Sequence, residues 1–169
     1  MENFMKLLLH DLEPNQFRTL FPEGLPDTLV VGPGESLRVC IGCFGCWVKT
    51  PGKCVIRDAY GDMGKQIASC SEFILLSRCF YGGFSPFVKS VLDRSISYLL
   101  PDFRIVNGEM HHKPRYAEQI SLHACFYGPC TDEERATAER LVKGNAKNFN
   151  AAEYSVRFLK HAEEWREQL

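Results

Sequence analysis

The chain has 169 residues, 20 Lys and Arg against 21 Asp and Glu, a formal net charge of −1 and eight cysteines. This is the size of one ordinary domain, long enough to bury a sizeable core without staples. The balanced charge supplies no field that would recruit nucleic acid or an anionic membrane.

No apolar run approaches the roughly 18 residues of a membrane span, and Met1-Glu-Asn-Phe-Met-Lys6 lacks the basic start and cleavage site of a signal peptide. A cytoplasmic location is therefore expected. In that reducing compartment cysteines point to metal, redox or packing roles before disulfides.

In chain order, Lys6-Leu-Leu-Leu-His10 is an apolar run of strand length. Glu13 to Phe21 allows about two helical turns with Pro14 in the first, and Thr28-Leu-Val-Val31 is a second strand closed by Gly32-Pro33-Gly34. Asp58 is placed to cap a weak helix whose Met63, Ile67 and Cys70 share a face, and Phe73-Ile-Leu-Leu76 reads as a central parallel strand covered on both sides. Ser85-Pro86 opens a helix with a stripe of Val88, Val91, Leu92, Ile96 and Leu99.

The long connection from Pro101 to Tyr116 carries a hairpin signal at Asn107-Gly108. Gln119 to Phe126 reads as a fourth strand. Thr131-Asp-Glu-Glu134 is a capping box, opening a helix buried through Leu141, Val142 and Phe149. Tyr154 to Phe158 alternates as a strand near the sheet edge, and a final helix, Ala162 to Leu169, packs Trp165. Strands alternating with helices predict an α/β, doubly wound parallel sheet, single-domain over residues 1–169. In such sheets ligands bind outside the carboxyl ends of the strands. That rule nominates the loops His10 to Asn15, Ser77 to Gly83 and Cys125 to Cys130.

The densest chemistry lies in Cys40-Ile-Gly-Cys43-Phe-Gly-Cys46, with Cys54 following a Pro51-Gly52 turn. Four thiolates suit a cubane iron–sulfur cluster. They also satisfy tetrahedral zinc, and a third reading is free cysteines packed with Phe44, Trp47 and Val55. Elsewhere, Cys79 is a candidate reactive thiol if Arg78 lowers its pKa, and otherwise an inert buried cysteine. His111-His112 is a candidate phosphate contact, with a mixed-charge surface hairpin as the alternative.

The segments Cys40 to Trp47 and Thr50 to Asp58, then Tyr81-Gly-Gly83 with Lys89 and Asp93-Arg94, then Gly108 to His112 resemble the flavodoxin-like family of NAD(P)H-dependent FMN reductases and its iron–sulfur flavoprotein branch. The resemblance covers roughly Val39 to Gly128. It implies a three-layer flavodoxin-like sandwich with a five-stranded parallel sheet in the order 2-1-3-4-5, FMN at the switch point, and an oxidoreductase using NAD(P)H. It also implies a homodimer or tetramer and a redox partner protein. Carried over residue by residue, Ser77, Arg78, Cys79, Phe80, Tyr81, Gly82 and Gly83 lie along the flavin ring, and Tyr127 and Gly128 on its other side. Cys40, Cys43, Cys46 and Cys54 would hold a 4Fe–4S cluster.

One segment departs from the family. Where relatives carry a glycine- and serine-containing phosphate loop, this chain has His10-Asp-Leu-Glu-Pro-Asn15. Two carboxylates and no glycine oppose phosphate binding of the usual kind. Arg78 is a candidate replacement cation. The alternative reading is a flavodoxin-like module without flavin, acting as a subunit, a metal-site scaffold or a binder of another small ligand.

Overall fold

The computed structural model describes residues 5–34 and 36–166. Its elements are β1 (Lys6–His10), α1 (Pro14–Leu20), β2 (Thr28–Val31), α2 (Gly45–Val48), α3 (Met63–Ala68), β3 (Glu72–Arg78), α4 (Pro86–Arg94), β4 (Leu99–Val106), β5 (Glu109–Pro114), β6 (Ser121–Tyr127), α5 (Asp132–Asn148), β7 (Glu153–Leu159) and α6 (Glu163–Arg166). A 3-10 turn, Ser95–Tyr98, joins α4 to β4.

The main sheet runs β2-β1-β3-β6-β7 with every pairing parallel. Counted as sheet strands, this is the expected order 2-1-3-4-5, and it reverses between β1 and β3. Both sheet faces are covered, which is why β1 and β3 are nearly continuous apolar runs. Leu7, Leu9, Phe73, Leu75, Leu122 and Phe126 pack one face against α3, α4 and α5. Leu8, Leu76 and Cys125 pack the other against Phe21 and Trp165. At about 1.5–3 kcal/mol for each buried large apolar side chain, these two layers hold the strand ends in register.

β4 and β5 form the expected hairpin outside the main sheet, turning at Asn107 (φ 53°) and Gly108 (φ 82°), the two positive angles of a type I′ turn. Ser85 caps α4 by accepting from Val88 N–H, and Thr131 and Glu134 close their capping box on α5. β7 lies at the sheet edge.

Some expectations are corrected. Asp58 does not cap α3: Asp62 stands at that position without a side-chain cap, and the Asp58 carboxylate turns instead to Arg94. The α4 stripe breaks after Arg94, so Ile96 falls in the 3-10 turn and Leu99 in β4. The final helix spans Glu163–Arg166 with Trp165 buried, and the rest of its expected length, 167–169, lies outside the described residues. Among the described residues no helix is long and apolar enough to cross a membrane.

Candidate functional site

The cysteine stretch folds as a plug. Positive φ at Gly42 and Phe44 turns the chain into the single helical turn α2, which carries Cys46. Gly45 is required there, since a Cβ would stand 2.6 Å from a Val55 methyl. Trp47 anchors the plug by donating its indole N–H to the Leu99 carbonyl at 2.9 Å, and it stacks on Phe44. The Pro51-Gly52 turn then brings the chain back, so that Cys54 N–H donates to the Gly61 carbonyl.

The result is that Cys40, Cys43, Cys46 and Cys54 all line one cavity of about 430 Å³, closed behind by α4, the 3-10 turn and α5. Its walls are mostly apolar, including Phe84, Leu92, Ile96, Leu141 and Phe149. Burial raises the Cys46 thiol above its ordinary pKa, and the neighbouring charges of Cys54, Cys40 and Cys43 raise it further. The Cys46 sulfur thus lies within electrostatic reach of the other three sulfurs. They nevertheless stand open: among the described residues no three metal-ligating side chains converge on one point. The donor set has the right chemistry for a four-thiolate cluster, and Arg94 Nε already donates to Cys54 Sγ at 3.1 Å.

The other predicted group sits apart from this cavity, at the strand ends. Tyr81 is 84% exposed with φ 52°, and Phe80 beside it is 47% exposed, so the loop after β3 offers two aromatic rings to solvent. Phe80 and Gly83 pair backbone to backbone and close the loop on itself. Ser77 faces inward. It is fully buried, and its hydroxyl accepts from Ser85 N–H at 2.8 Å. The Cys79 sulfur lies 3.0 Å from that of Cys130. None of the nine residues nominated for the ring lines the cysteine cavity.

The first-strand loop closes on the same strand ends. The Asp11 carboxylate accepts the Arg78 backbone N–H at 2.9 Å and the Tyr127 hydroxyl at 3.0 Å. One side chain thus ties the ends of β1, β3 and β6 together at the switch point, consuming a backbone donor that an anion would need. His10 turns inward and accepts Leu12 N–H at 3.2 Å, while Glu13 stands at the start of α1. The loop after β3 carries exposed aromatic faces and glycines, the residue types a flavin ring would pack on. The first-strand loop lacks the residue types for a phosphate, because it has no glycine and the Asp11 carboxylate already accepts the Arg78 N–H.

The expected surface hairpin is better packed than its composition suggested. His112 lies between Trp47 and Phe103, at 4.8 and 4.5 Å between ring centroids, and His111 meets Asn148 and Glu109. Three contacts escaped the sequence reading: Arg94 on Cys54, Asp11 on Arg78 and Tyr127, and Cys79 on Cys130. Each joins residues at least 40 positions apart, and no local periodicity marks such pairs.

Over 98% of its length the chain superposes on the NAD(P)H:quinone oxidoreductase of Methanothermobacter marburgensis, with a TM-score of 0.57, 10% identity and 94% of that chain covered. The fold is flavodoxin-like. An FMN complex of general stress protein 14 from Treponema denticola shares this flavodoxin-like architecture (TM-score 0.53, 15% identity, 97% of this chain and 90% of that one). So does an FMN complex of an FMN-dependent NADH-azoreductase from Bacillus anthracis (TM-score 0.52, 10% identity, 98% and 99%). In sequence, 73 residues are 34% identical to an iron–sulfur flavoprotein of Methanocaldococcus jannaschii, a match covering 43% of this chain and 37% of that protein. The chain spans little more than a third of that relative. No family model matches it.

Proposed function

We propose that this chain is a flavodoxin-fold redox protein of the iron–sulfur flavoprotein type. The observation that carries the reading is the sharing of one cavity wall by Cys40, Cys43, Cys46 and Cys54, in a chain partly similar to a protein of that name. A 4Fe–4S cluster held by these thiolates would exchange single electrons, and the plug built on Trp47 and Arg94 keeps the ligand-bearing chain against α4. A flavin would supply hydride or electron exchange at the loop bearing Phe80 and Tyr81, as the names of the structural relatives suggest, with NAD(P)H as donor. The acceptor would be a redox partner protein or small oxidant, and a homodimer or tetramer is the proposed assembly.

A second reading has its own observation. The Asp11 carboxylate is already bonded to the Arg78 N–H and the Tyr127 hydroxyl at the strand ends, which favours a module that kept the fold and gave up FMN. An absorbance spectrum from 300 to 600 nm on protein purified without oxygen separates the two, with iron, acid-labile sulfide and zinc assayed on the same sample. A broad shoulder near 400 nm with iron and sulfide supports the cluster, and added flavin bands complete the first reading. A colourless sample that takes up neither iron and sulfide nor FMN overturns it and leaves the second.

A further inference from the structure

Cys79 and Cys130 stand apart from the cysteine cavity and from each other in sequence, yet their sulfurs meet at 3.0 Å. Cys79 follows β3 and is buried; Cys130 precedes the Thr131 cap of α5 and is half-buried. The chain on both sides is held. Cys79 N–H donates to the Tyr127 carbonyl at 2.9 Å, which fixes the end of β3 against the end of β6. Gly82 lies directly on α5, where an added Cβ would come within 2.8 Å of the Glu134 carbonyl and 2.9 Å of Thr137. The capping box fixes the first turn of α5 from the other direction. A disulfide bond needs the sulfurs to close by only about a further 1 Å. Cys70 and Cys125, the other cysteines outside the plug, are buried, and the Cys70 thiol donates to the Ile67 carbonyl.

We propose that Cys79 and Cys130 form a second redox site, a dithiol that low-molecular-weight disulfides oxidise reversibly to an intramolecular disulfide. Cys130, the more exposed of the two, is the entry point. Its thiolate attacks one sulfur of the small disulfide, a mixed disulfide forms, and the first small thiolate leaves. The Cys79 thiolate then attacks the Cys130 sulfur, the Cys79–Cys130 bond forms, and the second small thiolate leaves. The protein gives up two electrons and two protons, and the small disulfide becomes two thiols. Oxidation ties the loop that presents Phe80 and Tyr81 to the first turn of α5. This inference does not rest on a flavin or a cluster being present.

Burial, with the Cys79 sulfur next and Glu134 beyond it, pushes the Cys130 thiol up to about 12, while Arg135 pulls it down. A raised thiol carries little thiolate at neutral pH, so exchange is slow there and accelerates as pH rises. The pair responds to sustained changes of redox poise.

The test equilibrates the full chain, reduced and freed of reductant, in buffers of stepped glutathione to glutathione disulfide ratio. Samples are then acid-quenched, alkylated and peptide-mapped without reduction. The expected result is a Cys79–Cys130-linked peptide that grows as the ratio falls, disappears on adding dithiothreitol, and accounts for a loss of two of the eight titratable thiols. Cys79→Ser should halt at a glutathione adduct on Cys130, and Cys130→Ser should leave Cys79 unmodified. Both thiols remaining alkylatable at every ratio overturns the proposal, as do disulfides found only among the four cysteines of the plug. The wild-type map decides the matter even if a variant fails to fold.

Discussion

Arg94 lies flat against Asp58, with Nη1 2.8 Å from Oδ2 and Nη2 2.9 Å from Oδ1, and both side chains are shut away from solvent. The guanidinium also donates to the Arg38 and Ile56 carbonyls and to Cys54 Sγ. All five of its N–H groups are used, each toward the segment that contains the cysteine plug. Removing one member of such a pair strands a buried charge, at a cost of about 3–5 kcal/mol. Asp58→Ala and Arg94→Met should each lose about that much in urea unfolding. Arg94→Lys should recover little, because three donors at a point cannot replace a planar fork. A loss below about 1 kcal/mol in either truncation would show that the plug is not held through this pair.

The same pair sets an acid limit. Burial works to raise the Asp58 carboxyl, but hydrogen bonds from Arg94 and from the Arg38 and Tyr60 N–H groups hold it below the ordinary value. Its folded pKa is depressed, so its contribution is present above the unfolded value near 4 and is lost as pH falls through the folded one. Unfolding free energy followed below pH 4 should fall steeply in the wild type and flatten in Asp58→Asn. Parallel curves in the two proteins would contradict the assignment.

Asp11 offers a gain-of-function experiment. A carboxylate 4 Å from a phosphate costs about 4 kcal/mol per unit charge at an effective dielectric of 20, and less at a half-buried site. Asp11→Asn should therefore tighten FMN binding by about ten- to a hundredfold, read by quenching of flavin fluorescence. Burial first and the Asp11 charge second raise the Tyr127 hydroxyl. The same variant should therefore bring Tyr127 ionisation down in an ultraviolet pH titration. Unchanged flavin affinity with a lowered Tyr127 value would mean that the carboxylate is not what excludes the phosphate.

The architecture was legible because it rests on local signals. The apolar run Phe73 to Leu76, the Ser85 and Thr131 caps and the Asn107-Gly108 turn each name their element within a few residues. The site was legible only as a list. The spacing of Cys40, Cys43, Cys46 and Cys54 marked them as a group, and the structure adds that they line one cavity. The partner of Asp58 could not be read that way, because a carboxylate ahead of a weak helix looks like a cap whether or not an arginine 36 positions later claims it. Ser77 entered through the family resemblance, and no local pattern marks its inward hydroxyl, which accepts the Ser85 N–H.

Gly82 tests the packing of the aromatic loop on α5. Its φ of +74° disfavours any side chain, and a Cβ would press on the Glu134 carbonyl, which is backbone and cannot give way. Gly82→Ala should cost about 1–3 kcal/mol of stability and speed chymotryptic cleavage at Phe80 and Tyr81. Loss of stability without faster cleavage would place the strain elsewhere than in the loop.

His10 makes the protein sensitive to mild acid. The ring is buried, stacks on Phe17 at 4.3 Å with a 5° angle between planes, and accepts the Leu12 N–H through Nδ1. Burial lowers its pKa from 6.5 to about 4. Between those values the unfolded chain binds the proton and the folded one does not, so stability rises with pH across this window. The contribution is complete above pH 6.5 and gone below about 4, and it amounts to about 3 kcal/mol. Urea midpoints measured every half unit from pH 7 to pH 4 should fall in the wild type and change less in His10→Gln. The His10 ring should stay neutral by NMR until the lower end of that range. A ring that titrates near 6.5 in the folded protein would mean that the loop opens to solvent, and that Asp11 is freer to move from the switch point than its two hydrogen bonds indicate.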